Sequence, residues 1–142
     1  MSSQSSALKR YYTNRQNQID AQKLRELQPG NLFNEKTFYP AFIKDLEAAR
    51  KELIIYSPFV TQYRSRFFKQ IFAQLNRRNI PVFIFTRPIE EQEYSMKSEV
   101  TGALKELEEL GTCVIHLPGF IHEKAAIIDR EILWEGSMNI LS

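Results

Sequence analysis

Residues 121–136 read Ile121-His122-Glu123-Lys124-Ala125-Ala126-Ile127-Ile128-Asp129-Arg130-Glu131-Ile132-Leu133-Trp134-Glu135-Gly136. Two apolar runs this close leave no room for a crossover, so Glu123–Ile128 and Ile132–Gly136 can pair only as an antiparallel hairpin. Reading backwards, Cys113 to Leu117 is a further strand. Before it, Val100, Leu104, Leu107 and Leu110 share one face of a helix from about Lys97 to Leu110, which Gly111 ends. Pro81 to Thr86 is a strand, and Phe67, Phe68, Ile71, Phe72 and Leu75 form the inward face of the helix before it. Leu53 to Ser57 is a strand stopped by Pro58. Phe38, Phe42, Leu46, Ala49 and Leu53 recur at helical spacing. Pro40 is tolerated only in a first turn, which starts that helix at Tyr39 or Pro40. Strand and helix alternate through residue 117, the pattern of a parallel sheet faced by helices. The expected fold is therefore α/β: a three-layer α/β/α sandwich around a mixed, largely parallel sheet, ending in a hairpin.

The chain has 142 residues and is 43% hydrophobic, which suits one domain with a real core. Residues 32–142 are expected to form it. Residues 1–31 read as a polar tail closed by Pro29-Gly30, with a short helix possible near Asp20 to Leu27. Nineteen Lys+Arg against 17 Asp+Glu leave a net charge of +2, so overall charge announces no partner. The single cysteine, Cys113, excludes an internal disulfide and reads as a buried, inert thiol. No apolar run is long enough to span a membrane, and Met1 to Ala7 lack the apolar core of a secretory signal. The cytoplasm is the expected compartment.

Charge is uneven along the chain. Between Leu53 and Ile89 there are six basic residues and no acidic one, whereas Glu90 to Leu110 hold seven acidic and two basic residues. Two solvated helix faces of opposite sign would account for this pattern. The functional alternative is a phosphate-attracting side, with Arg64, Arg66 and Lys69 as its candidates, because phosphate neutralisation is the largest sequence-independent contribution to nucleic-acid affinity.

The hairpin carries the chemistry. His122 and Lys124 are two residues apart, on one face of a strand, with Glu123 pointing away. A turn at Arg130-Glu131 would pair Asp129 with Ile132, setting His122 opposite Asn139 and Lys124 opposite Ser137. An imidazole, an ammonium, a hydroxyl and an amide would then share one hairpin end. Such a set suits a tetrahedral anion, above all a phosphoryl group whose oxygens need donors. It contains no carboxylate cage for a divalent cation, and neither a metal nor another cofactor is expected. Asp129 has the opposite parity and lies roughly 16 Å along the strand from Lys124, so it is assigned to organising the turn. Gly136 is assigned to close approach.

At these residues the chain resembles the phospholipase D superfamily. The signature is His-x-Lys, four residues, Asp, six residues, Gly-Ser, then Asn, here His122, Lys124, Asp129, Gly136, Ser137 and Asn139. The strand and helix order over residues 34–142, including Ser57-Pro58-Phe59, is similar to that family's domain. The resemblance implies metal-independent phosphodiester transfer: one motif histidine attacks phosphorus, a second protonates the leaving oxygen and then activates water, and Lys and Asn hold the phosphate oxygens. One chain supplies one motif, so a homodimer is expected to complete the site. A carboxylate that orients the motif histidine follows the motif in some relatives. It is not found by Ser142, and a truncated domain is expected. The expected substrate is nucleic acid, DNA before RNA, and a helicase or ATPase module is a possible companion. The alternatives are a phospholipid-directed phosphodiesterase and a catalytically silent nucleic-acid-binding or assembly module.

Overall fold

The computed structural model describes residues 32–142. The possible helix at Asp20 to Leu27 lies outside them. The chain divides into two compact units, residues 1–41 and 42–142, and the second holds all the strands among the described residues.

Helix α1 spans Glu35–Glu47 and starts a turn earlier than the proline suggests. Asn34 explains the earlier start: its Oδ1 accepts from the backbone amides of Lys36 (2.9 Å) and Thr37 (3.0 Å), a side-chain cap on the first turn. Pro40 therefore sits inside the helix.

Strand β1 (Leu53–Tyr56) leads through α2 (Gln62–Phe67) and α3 (Lys69–Arg77) to β2 (Val82–Thr86). The single helix expected here is broken at Phe68, which caps α2 and opens α3. The break turns Phe68 fully inward and leaves Phe67 44% exposed, so the expected inward place of Phe67 is corrected. Two 3₁₀ turns, Ile89–Glu91 and Tyr94–Met96, precede α4 (Lys97–Glu109), which Gly111 ends at φ +88°. Strands β3 (Cys113–His116), β4 (Ala125–Ile128) and β5 (Ile132–Glu135) complete the sheet.

The strand order is β3-β2-β1-β4-β5, with β1, β2 and β3 parallel and both β4 pairings antiparallel. The mixed α/β fold is as expected. Paired positions share a face, so Leu53, Ile55, Val82, Ile84, Ala126 and Ile128 form one apolar layer, and all six are buried. Phe42 of α1 meets Phe68 at 5.9 Å and Trp134 at 5.8 Å between ring centres, and the Trp134 Nε1 donates to Asp45 at 2.8 Å. Burying Phe42 and Phe68, both fully inaccessible, contributes about 1.5–3 kcal/mol each. Cys113 is exposed rather than buried, because β3 is an edge strand.

The hairpin register differs from the expected one by one residue. Ile128 pairs with Ile132 and Ala125 with Glu135, across a loop of Asp129, Arg130 and Glu131. The Glu131 amide donates to the Ile128 carbonyl at 3.0 Å, and Asp129 and Arg130 have φ of 56° and 58°. Positive φ at both central residues is what a primed turn requires, and its twist matches the strands. Extended past the ladder, this register sets Lys124 beside Gly136, whose amide donates to the Lys124 carbonyl at 3.3 Å. The strands stop at Ala125 and Glu135, so His122 and Asn139 lie in loops and are not cross-strand partners.

Candidate active site

Because β1, β2 and β3 run one way and β4 runs the other, several segments converge on one end of the sheet. They are the residues after β1 (Ser57–Phe59), after β2 (Arg87), after β3 (Leu117–Ile121), before β4 (His122–Lys124) and after β5 (Gly136–Asn139). The carboxyl ends of parallel strands are where open α/β sheets bind ligands, since the loops there are free to vary over a rigid frame.

The frame is closely tied. Ser57 is buried; its hydroxyl donates to the Phe59 carbonyl at 2.8 Å and accepts from the Leu141 amide at 3.1 Å. The Leu141 carbonyl in turn accepts from the Thr61 amide at 2.8 Å. The Pro58 carbonyl accepts from Thr86 Oγ1 and from Gln92 Nε2, both at 3.2 Å. Ile140 and Leu141 are buried, which fixes the segment just beyond Asn139.

His122 is exposed and its ring is held by Arg87. One guanidinium nitrogen lies 3.2 Å from Nδ1, while Nε of Arg87 donates to the Ile121 carbonyl at 3.0 Å. A guanidinium only donates, so Nδ1 is the acceptor and the neutral ring so bonded carries its proton on Nε2. Arg87 is itself 8% exposed, with its guanidinium carbon 4.6 Å from the centre of the Phe59 ring and 5.5 Å from that of Phe120. Two aromatic faces and two hydrogen bonds compensate much of the desolvation of this cation.

The Lys124 ammonium donates to the His122 carbonyl at 3.1 Å, and the Glu123 carboxylate accepts from the His122 amide at 3.1 Å. Lys124 therefore contacts the backbone of His122 and not its ring. Burial raises the Tyr56 hydroxyl pKa above the ordinary tyrosine value, and the Glu123 charge adds to the shift. Asn139 is half-buried, and its Oδ1 is fully buried without a hydrogen-bond partner among the described residues. Ser137 is exposed. A Cβ at Gly136 would meet nothing within 4 Å among the described residues, so none of them requires a glycine there, which leaves close approach by a ligand as the reason for it.

A family model described as "Cardiolipin synthase, PLD-like domain" matches residues 42–141. The chain belongs to the phospholipase D-like family. Two solved structures share the fold. NucT from Helicobacter pylori is 23% identical, with a TM-score of 0.53 over 71% of this chain and 65% of that one. Nuc from Salmonella typhimurium, a phospholipase D family member, is 16% identical, with a TM-score of 0.57 over 75% of this chain and 66% of that one. The chain thus spans just under two thirds of either structure. No curated protein matches it.

Within this phospholipase D-like frame, the remaining candidates lie elsewhere. Asp129 is at the opposite end of the hairpin, where its carboxylate accepts from the amides of Arg50, Lys51 and Glu52 at 2.7–3.1 Å. Arg64, Arg66 and Lys69 are on α2 and α3 rather than in the converging loops. Arg66 pairs with Glu106, with contacts of 2.8 and 3.2 Å, and Arg64 stacks on Tyr63 and Phe67. A groove of about 490 Å³ lined by Ser65, Arg66, Lys69, Glu106 and Glu109 mixes both signs of charge and is separate from the histidine. Among the described residues, no three His, Cys, Asp or Glu side chains form a group able to hold a metal. No described helix is long and apolar enough to cross a membrane. Arg87 is the residue that the motif reading missed. Its position directly after a parallel strand was the available signal.

Proposed function

We propose that this phospholipase D-like chain is a metal-independent phosphodiesterase, a nuclease with DNA as its favoured substrate, in which His122 forms the phosphohistidine. The reading rests above all on His122, which stands exposed at the ligand-binding end of the sheet with a buried guanidinium on its Nδ1. Likeness in fold to a protein named NucT supports the nuclease choice.

Attack on phosphorus requires the Nε2 lone pair. An incoming phosphate draws the Arg87 guanidinium off Nδ1, and the ring proton then shifts from Nε2 to Nδ1 through solvent. Nε2 bonds to phosphorus as the ester P–O bond breaks, and the leaving oxygen takes a proton from the imidazolium of a second His122. That ring, now neutral, takes a proton from water, whose oxygen breaks the P–N bond and frees the first histidine. The second His122 comes from a second copy of the chain, because His116 is not followed by the rest of the motif. Lys124, Ser137 and Asn139 hold the phosphate oxygens, and Arg64, Arg66 and Lys69 supply long-range attraction.

The test is trapping. A phosphodiester labelled at phosphorus, quenched in alkali during turnover with EDTA present, should leave label on His122. His122→Ala should abolish labelling and lower turnover on the order of 10³-fold. Turnover that EDTA stops, or that survives His122→Ala, would overturn the proposal. The family model's lipid-synthase name favours a second reading, a phospholipid headgroup as substrate. Competition decides between them: an oligonucleotide, and not anionic vesicles, should inhibit hydrolysis of a chromogenic phosphodiester.

A further inference from the structure

Phe120 combines three features that packing alone does not account for. Its ring is 56% exposed although it lies two residues from His122. Its φ is +53°, a left-handed conformation that costs a bulky L-residue about 1–2 kcal/mol. That conformation is held from outside the loop, since the Glu91 carboxylate accepts from the amides of Gly119 (2.7 Å) and Phe120 (2.9 Å). One face of the ring is also occupied: the Arg87 guanidinium lies over both Phe120 and Phe59 and bonds the His122 ring. The same guanidinium thus contacts both the exposed phenyl and the imidazole.

A strained, clamped and exposed aromatic beside a phosphate-directed histidine suits one kind of ligand group, a flat ring attached to the phosphodiester being cut. Bases of a duplex are stacked on each other and offer no free face, whereas those of a single strand do. We infer that Phe120 is a base-stacking platform, so that this site takes single-stranded nucleic acid with an unstacked base next to the scissile phosphate. The inference rests on the nucleic-acid reading above and extends it to the form of the substrate. Arg87 serves it from beneath, stiffening the platform and, until a phosphate draws its guanidinium away, linking its position to that of His122.

The experiment compares two phosphorothioate-linked 12-nucleotide strands, one of thymidines and one wholly abasic, binding to the wild type, Phe120→Gly and Phe120→Trp. Glycine relieves the positive φ, so the melting temperature of Phe120→Gly should be kept or raised. Its affinity for the thymidine strand should fall about 5- to 100-fold, while its affinity for the abasic strand stays within twofold. Phe120→Trp should keep thymidine-strand affinity. Equal losses on both strands, or no loss on either, would overturn the platform while leaving the nuclease reading intact. No binding of either strand by the wild type would remove the nucleic-acid reading and the platform together.

Discussion

At the closed end of the β4–β5 hairpin, the Asp129 carboxylate accepts from three consecutive amides, of Arg50, Lys51 and Glu52, while its own amide donates to the Glu52 carbonyl at 2.9 Å. At the open end, Asn139 Oδ1 is buried with no partner among the described residues, Lys124 folds back on the His122 carbonyl, and His122 takes a guanidinium where a carboxylate would better prepare it for attack. Both ends belong to one motif string and one ribbon. The closed end locks the hairpin to the loop before β1. The open end keeps polar groups incompletely matched, which costs stability and leaves hydrogen-bonding capacity for a ligand.

The largest effect should come from breaking the closed end. Asp129→Ala removes three charge-assisted bonds and leaves alanine at positive φ. It should destabilise by about 2–4 kcal/mol, a melting shift of roughly 6–15 °C. Turnover measured well below the transition should stay within a few-fold of wild type. A large loss of turnover with an unchanged melting temperature would make Asp129 part of the chemistry and erase the contrast. The pH dependence has a defined sign. Burial alone would raise the carboxyl pKa, but hydrogen bonds from Lys51, Glu52 and Arg50 outweigh it and hold it below the ordinary aspartate value. Its contribution is thus complete above the unfolded pKa, near 3.9, and is lost as pH falls through the folded one. Denaturant titrations should show wild type losing its advantage over Asp129→Asn below about pH 4.

Asn139→Ala probes the opposite end and should act in the opposite sense. Removing a buried, unpartnered acceptor should leave stability unchanged or raise it by up to about 1–2 kcal/mol. Loss of a phosphate-oxygen donor should lower turnover about 10²-fold. Thermal melts together with hydrolysis of a chromogenic phosphodiester separate the two. A variant that loses stability and keeps turnover would place Asn139 with the structural residues.

The contrast also explains how much could be read without coordinates. Buried strands such as Leu53–Tyr56 and Val82–Thr86 are continuous apolar runs between breakers, and the helix ending at Gly111 carries its own stop signal, so the element order was legible. The motif spacing likewise marked His122, Lys124 and Asn139 as candidates. The hairpin register was not legible, because Asp129 is a turn residue whose bonding partners lie 77 to 79 positions away. Nothing local indicates that it leaves the ladder, and one residue of error moves every pairing. Arg87 was hidden for the same reason, 35 positions from the ring it holds. Periodicity could not decide between Phe67 and Phe68, since one break in the helix exchanges their faces. The exposure of Cys113 depends on β3 being an edge strand, which is a property of the assembled sheet.

The smallest effect tests whether the closed end is strained as well as locked. Arg130 follows Asp129 at φ +58° and reaches Glu52 with its Nε at 2.5 Å, an exposed ion pair. Left-handed backbone costs a non-glycine residue about 1–2 kcal/mol, while an exposed pair returns about 0–1 kcal/mol. Glycine at the second central position is also the residue that a primed turn prefers. Arg130→Gly should therefore stabilise by about 0.5–1 kcal/mol and raise the melting temperature by a few degrees, with turnover unchanged. The cycle with Asp129→Ala sharpens the point. If the Asp129 carboxylate holds the turn in its left-handed conformation, the glycine's gain should grow once that carboxylate is gone, because the turn then forms by backbone preference alone. Strict additivity would mean that the lock and the turn geometry act independently, and that the carboxylate ties down the Arg50–Glu52 loop without shaping the hairpin.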